Sequence, residues 1–502
     1  MAIPKFMGIE NEYAIYSNVD TGMLVNCMID YLNSDRLGTD RRAATPIKCF
    51  LANGGLVYRD IGLPEYCTPE CPDPKSLVVF DKAGEVIIQK LARAISVLRE
   101  CEISIYKKSS DGYGNASGCH ENYSITPELF KTLINAPRNN RKVSIWATFL
   151  ALRQLITGGG KIGSEFDNMS ATFQISQRSD FIVAFRNNTD LSDRPVIHCR
   201  NEPWANENLA RRLHVIVGET NLCEWALFLK VGLSALMLMA LEDNYFSTIN
   251  MPEFQNQIPE VFPVLSRDIG FANKYNVRFT HSGRDNQIMT ATEMLNIYVE
   301  ALANYLFSKT EWEHLSSEEY LTYQDVIEKA RFVVSRLLDK DTGALLGICD
   351  WTTKLVLVKQ FLDKKSRTLT NFQNDPELEL DLRTFVDMGY GSMNPETSLY
   401  HRLVKKRLVQ RITKDEEIDL AISTPPQKGR ALLRVAITKK FHQNIKTVLW
   451  DKVILFDGAH EFTIELPTPF VYNSSALKDA ISTSQTPREL GSVWASLLQE
   501  RR

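Results

Sequence analysis

FMGIENEYAI at residues 6–15 and VYRDIGLPEY at residues 57–66 decide how this chain folds. In the first, Met7, Ile9, Tyr13 and Ile15 alternate with Gly8, Glu10 and Glu12, the two-residue period of a strand with one apolar and one acidic face. Both glutamates therefore point the same way. In the second, Leu56, Tyr58 and Asp60 share a face, and Gly62 and Pro64 are expected to break the strand, with Glu65 just past the bend. Like charges gathered on a sheet repel unless a cation sits among them. An oxygen-only set of this kind suits Mg²⁺ held together with nucleotide phosphates, whereas two solvated strand faces would leave the same acids as ordinary surface groups.

At 502 residues the chain can bury a large core and divide into two or more domains, or form one large α/β domain with an appendage. Its 58 basic and 61 acidic residues give a formal net charge of −3, without the polycationic character of a nucleic-acid binder. MAIPKFMGIENEY, at the amino terminus, holds charge and a strand where a signal peptide needs an apolar run, and no uninterrupted apolar stretch approaches the ~18 residues of a membrane span. A soluble cytoplasmic protein is expected, with neither nucleic acid nor membrane as partner. Nine scattered cysteines argue against a disulfide framework or zinc ribbon. Cys67 and Cys71 lack a second pair or a neighbouring histidine, so they read as packing residues.

Apolar periodicity predicts helices at 74–100, 127–156, 220–242, 289–308, 323–338 and 351–364. Strands are predicted at 102–107, 118–124, 171–176, 181–186, 194–199 and 212–218. Strands interrupted by helices without strict alternation imply an α+β fold with an antiparallel sheet, its function on the open face. Beyond residue 410 a charged stretch, TKDEEIDLAI, leads through STPPQKGR to an amphipathic helix and a strand at 449–455. The expected division is 1–411 for a catalytic domain and 412–502 for a small carboxy-terminal domain.

Further chemistry is concentrated in three places. DGYGNASGCHENY joins a small-residue loop, Asp111 to Gly118, to a strand with His120 and Asn122 on one face, placed for phosphate or metal or for an ordinary surface hairpin. VIHCRNEPWANENLARRLHVIVGE gathers Arg200, Glu202, Arg211, Arg212 and His214, which suit phosphate or carboxylate contacts or surface ion pairs. Arg430 and Arg434 lie one helical turn apart and would present a paired basic face to an anionic ligand, and Trp450 offers a flat face to a purine or a core contact. TGGGKIGS at 157–164 has the wrong spacing for a phosphate loop and reads as a helix stop.

In order, MGIENEY, NGGLVYRDIGLPEYCTPEC, DKAGE, GCHENY, QISQRSDF, RNEPWA with RRLHVIVGE, NLCEWALFLKVG, DWTTKL, TPPQKGRALLR and WDKVIL resemble the Pup ligase and depupylase family, the PafA and Dop enzymes. The resemblance implies a glutamine synthetase-like fold. Its curved antiparallel sheet, flanked by helices, would cradle ATP and Mg²⁺, with a small carboxy-terminal domain closing over the nucleotide. It implies magnesium positions at Glu10, Tyr58 and Glu65, nucleotide contacts at Thr68 and Trp450, and the catalytic aspartate at Asp60. Glu12 and His120 are added as metal candidates, Arg200 as a catalytic one, and Arg430 and Arg434 as nucleotide-binding ones. The implied partner is a small Pup-like protein modifier and its conjugates.

The spacing from Asp60 to Pro64, with FDKAGE, QISQRSDF, SLYHRLV and WDKVIL, is similar to the depupylase branch. GCHENY is similar to the ligase branch, and residues 36–53 are too few for the long insertion typical of depupylases. The chain departs from the family pattern at Leu56, Leu63, Asn201 and Trp204, where arginine, histidine, aspartate and histidine are expected. An ATP·Mg-dependent amidohydrolase acting on an isopeptide or terminal glutamine is therefore expected. The rivals are a Pup ligase, a γ-glutamyl-amine ligase for small amines, and a non-catalytic adaptor.

Overall fold

The computed structural model describes residues 1–34, 48–166, 171–189, 191–280, 287–309, 312–313, 315–369, 375–470 and 475–499. Residues 35–47, part of the segment noted for its missing insertion, lie outside the described residues. Helices and sheets are mixed without regular alternation, an α+β fold.

Six strands form the central sheet: β1 (Met7–Glu12), β2 (Lys48–Phe50), β3 (Leu56–Asp60), β4 (Leu63–Cys67), β5 (Cys119–Ile125) and β6 (Arg211–Val215). Their spatial order is β6-β5-β1-β4-β3-β2, and every neighbouring pair is antiparallel. The strand ends before Gly62 as expected, but the chain turns straight back into a second strand that includes Pro64. Ile61 and Gly62 both take left-handed conformations, φ 42° and 94°, and make a two-residue hairpin turn that pairs Asp60 with Leu63. Pro64 comes second in β4, where its missing N–H falls opposite Tyr13, just past the end of β1, while its carbonyl still accepts a 3.0 Å hydrogen bond from the Tyr13 N–H. Glu65 thus lies within β4, opposite Tyr58 on one side and Glu12 on the other.

The expected strand at 6–15 is two strands. Ala14–Ser17 leaves the sheet after Tyr13 and pairs with Ile103–Tyr106. One face of the central sheet, with Ile9, Asn11, Val57 and Tyr66, is buried. Behind it runs the Pro74–Arg99 helix, capped by Asp73, whose carboxylate accepts from the Ser76 N–H at 2.9 Å, and opened by proline at its first position. Asn11 donates to Asp81 of that helix at 2.6 Å, and Asp81 also pairs with Lys107 at 2.7 Å. A buried chain of polar contacts, in which the Asn11 Oδ1 alone has no partner, therefore ties the strand between Glu10 and Glu12 to the helix behind it.

The main core surrounds the Glu224–Glu242 helix, which packs against Ala291–Phe307 and Ser317–Leu338. It is apolar and long enough to cross a membrane by composition, and 94% of its most apolar window is buried inside the protein. The last of these helices begins earlier than its apolar stripe, because Ser316 and Glu319 form a capping box. Residues 127–156 hold three helices where periodicity suggested one, because Pro137 interrupts the run and Asn140 caps a new start. Ile182–Asn187 and Arg194–His198 pair with each other in parallel, outside the central sheet.

The carboxy-terminal unit has a three-stranded antiparallel sheet, Ile445–Val448, Lys452–Asp457 and His460–Glu465, with helices Arg430–Lys440, Ser475–Thr483 and Pro487–Gln499. Leu433, Ile437, Val453, Leu455, Ile464 and Trp494 share one core with Phe50, Leu56 and Cys67 of the central sheet. Each fully buried side chain of this kind contributes ~1.5–3 kcal/mol, so the two units are held by a common apolar interior. Asp415–Ala421 packs on the Pro74–Arg99 helix instead, so this interior begins near Arg430, later than the expected boundary at 412.

Candidate active site

Cross-strand register decides which side chains meet. Glu10 lies between Cys67 and His120, Glu12 is opposite Glu65, Glu65 is opposite Tyr58, and Asn122 is opposite His214. All of them share the face turned away from the Pro74–Arg99 helix. Among the described residues this face carries two groups able to hold a metal ion: Glu12, Asp60 and Glu65, and Glu10, His120 and His214, each with ligand atoms within 4.8 Å of one another. The single ligand set expected from the sequence is thus divided. His120 stands with Glu10 and not with the Asp60 group.

Glu65 is 1% exposed, and its Oε1 has no hydrogen-bond partner. Burial, reinforced by the charges of Glu10 and Glu12, pushes its carboxyl well above the usual range. A buried orphan oxygen among like charges fits a hard divalent cation such as Mg²⁺, which would be held by Glu12, Asp60 and Glu65. Tyr58 is pushed up by burial and by Glu65, so it would offer a neutral hydroxyl to such an ion.

The second group has its own supports. Asn122 donates to Glu10 Oε1 at 2.9 Å and accepts from Arg212 at 2.8 Å. That leaves the Asn122 carbonyl as acceptor for His214 Nδ1 at 3.0 Å, so the proton sits on Nδ1 and the lone pair on Nε2. His214 Nε2 is buried without a hydrogen-bond partner. Burial and the Arg212 charge hold His214 well below the ordinary histidine value, hence neutral. Burial opposes ionisation of Glu10, but His120, Arg212 and Asn122 together bring it below the usual range. A neutral imidazole oriented through its other nitrogen beside a carboxylate is a metal-ready arrangement.

Gly118 closes the row. A Cβ there would stand 2.4 Å from Glu12 Oε1 and 2.7 Å from His120 Nε2. Of the glycines in DGYGNASGC, Gly118 thus makes room for side chains of the site, whereas Gly112 abuts Arg383. TGGGKIGS plays no such part: Gly158 and Gly160 are buried against Ile175 and Trp351.

From Glu10 a cleft runs along Gly8, Thr68, Glu70, Asn122 and Arg212 to Trp204, Arg430 and Trp450. Thr68 is fixed by its Oγ1, which accepts from the Ile9 N–H at 3.0 Å. Trp450 packs against the edge of Phe50 at 5.0 Å and the Arg434 guanidinium at 4.9 Å. Arg430 lines the cleft, but neither arginine is the open basic face expected from sequence: Glu70 holds Arg430 at 2.6 Å and Arg434 at 2.8 Å, and Arg434 is fully buried. Glu70 is the residue that sequence reading missed, since nothing in CTPEC marks it as the partner of a pair some 360 positions away.

Arg200 follows the Arg194–His198 strand. Its N–H donates to His198 Nδ1 at 3.4 Å, and its charge acts on Arg212 and His214. Arg212 pairs with Glu202 at 3.0 Å and Glu10 at 3.6 Å, whereas Arg211 turns to Glu207 and the Phe130 ring. The arrangement therefore joins an acidic, cation-binding end to a cleft with an aromatic wall. It suits a reaction at a carbonyl or carboxylate beside a polyanionic ligand.

A family model described as Pup-ligase protein matches residues 5–454. The chain is 30% identical over 421 residues to the Pup deamidase/depupylase of Mycolicibacterium smegmatis, covering 83% of this chain and 77% of that protein. It is 32% identical over 435 residues to the Pup–protein ligase of Acidimicrobium ferrooxidans, covering 84% and 86%. The crystal structure of the complex between the prokaryotic ubiquitin-like protein Pup and its ligase PafA superposes with a TM-score of 0.79 at 27% identity, covering 99% of this chain and 94% of that one. The structure of PafA in complex with ADP superposes with a TM-score of 0.73 at 27% identity, covering 93% and 94%.

Proposed function

We propose, because this chain belongs to the Pup-ligase protein family of Pup-modifying enzymes, that it is an ATP- and Mg²⁺-dependent amidohydrolase of the depupylase type. Its substrate is the isopeptide bond between the terminal glutamate side chain of a Pup-like modifier and a lysine of a conjugated protein. A modifier ending in glutamine would be deamidated at the same centre.

The observation that carries this reading is the convergence of Asp60 with Glu12 and Glu65 at the end of a sheet whose cleft is lined by Thr68 and Trp450. Asp60 sits at the end of β3, on a hairpin whose tip is only two residues long, so its carboxylate is held by rigid backbone. It takes a proton from a water whose oxygen bonds to the side-chain carbonyl carbon and passes that proton to the lysine nitrogen as the C–N bond breaks. If it attacks the carbon itself, water supplies the proton to the departing amine and then cleaves the resulting anhydride, which frees Asp60 and the glutamate carboxylate. Arg200 supplies positive charge toward the oxyanion. Bound Mg²⁺ would supply electrostatic stabilisation of the carbonyl and of the nucleotide phosphates. Leu56 removes a cation expected near the nucleotide. It stands where the family has an arginine, and its side chain is buried in the core shared with the carboxy-terminal unit. A ligase must stabilise a transferring γ-phosphate in every turnover, whereas a hydrolase that retains its nucleotide need not.

The test is incubation of the protein with ATP·Mg²⁺ and a conjugated substrate. Release of the modifier without stoichiometric ADP supports hydrolysis, and conjugation coupled to ADP formation rejects it in favour of the ligase.

A further inference from the structure

The segment Pro203–Ala205 lines the cleft and is tied to the carboxy-terminal unit through backbone groups. The Trp204 carbonyl accepts a 2.6 Å hydrogen bond from the Arg430 guanidinium, and the neighbouring Asn206 N–H donates to the Pro467 carbonyl at 2.7 Å. Arg430 is itself oriented by Glu70. Trp204 has φ 45°, a left-handed conformation that a bulky L-residue rarely adopts. Such a conformation persists where surrounding contacts over-determine it, and here the two backbone ties do so.

The ties leave the indole uncommitted. Its ring makes no ring–ring or cation–ring contact among the described residues, yet Trp204 lines the same cleft as Trp450, which Phe50 and Arg434 brace. This half-buried residue on a strained backbone lines a cleft that already has one indole, and no ring or cation among the described residues stacks on its π-face. A flat ligand would use it.

We infer that Trp204 is a base-contacting residue: its indole and that of Trp450 are two aromatic walls for the purine of a bound nucleotide. The Glu70–Arg430 pair positions the loop that presents it. The inference rests on the nucleotide reading proposed above and adds to it a base-stacking residue that sets nucleotide affinity, at one of the positions where this chain departs from the family pattern.

The experiment is calorimetric titration of the full-length protein with ADP·Mg²⁺, with melting of the unligated protein alongside, for wild type and for Trp204→Phe, Trp204→Ala and Trp204→Gly. Loss of one stacking wall lowers ADP affinity about ten-fold in the alanine and glycine variants, while phenylalanine stays within about three-fold. Glycine adopts the left-handed conformation without steric cost, so Trp204→Gly melts at or above the wild-type temperature while binding ADP more weakly. A structural tryptophan would lower both together. ADP affinity unchanged in Trp204→Ala, a phenylalanine variant as weak as alanine, or a glycine variant that melts early overturns the role of Trp204 and leaves the nucleotide site standing. A wild-type protein without affinity for ADP·Mg²⁺ overturns the nucleotide reading itself.

Discussion

Glu12 and Glu65 face each other across neighbouring antiparallel strands, and the more buried of the two, Glu65, keeps an oxygen without a hydrogen-bond partner. Two carboxylates so placed destabilise the protein unless a cation joins them. Glu65→Gln is expected to raise the stability measured in EDTA by ~1 kcal/mol, since a neutral side chain of the same shape removes the repulsion. In the wild type, Mg²⁺ at a hundred times its Kd adds ~2.7 kcal/mol by mass action, and Glu65→Gln loses that increment. Differential scanning calorimetry with and without Mg²⁺ reads both effects. A full Mg²⁺-dependent rise retained in the variant would place the ion elsewhere.

Asp60→Asn is expected to lower the rate of modifier release by ~10³-fold or more, because the amide neither attacks a carbonyl nor accepts a proton from water. ADP affinity should stay within about three-fold of wild type, since Asp60 is not among the residues lining the cleft. Gel-based release assays and nucleotide titration on the same preparation check the pair. A variant that keeps wild-type turnover removes Asp60 from the chemistry.

Gly118→Ala introduces a methyl group 2.4 Å from Glu12 Oε1, a separation that no real contact sustains. The carboxylate must move, and a shift of that size at a reacting centre costs ~10²-fold in kcat. Steady-state turnover against melting temperature separates this from unfolding: turnover falls while the melt stays within a few degrees.

Glu70 gives a pH signature to the junction of the two units. Burial alone would raise its carboxyl, but Arg434 and Arg430 outweigh burial and hold it at about 2, against an ordinary value of 4.5. The folded value lies below the unfolded one. The contribution is therefore fully present above about pH 4.5 and is lost as pH falls toward 2. The difference corresponds to ~3 kcal/mol. The stability gap between wild type and Glu70→Gln, from urea melts at each pH, should be widest at neutral pH and close toward pH 2. A gap that widens on acidification contradicts the assignment.

What the sequence made legible was local. Alternation alone placed Glu10 and Glu12 on one face, and the unbroken stripe from Leu77 to Leu98 marked the helix behind it. Gly62 marked the turn correctly, but Pro64 misled, because it lies inside the returning strand opposite Arg59. Whether Asp60 joins Glu12, or His214 joins Glu10, depends on the register between strands distant in the chain, and no short-range pattern encodes it. The carboxy-terminal sheet was seen only through its middle strand. One partner, Ile445–Val448, has only four residues, and four of the six residues of the other, His460–Glu465, are exposed, so neither carries a clean apolar alternation.

Phe50, Leu56 and Cys67 belong at once to the strands that carry the acids and to the interior of the carboxy-terminal unit. Heredity must therefore treat the last seventy or so positions and these three as one inheritance. A chimera that grafts the tail of one relative onto the body of another would meet a seat shaped for different side chains, and compatible lineages are those in which both sides have drifted in step.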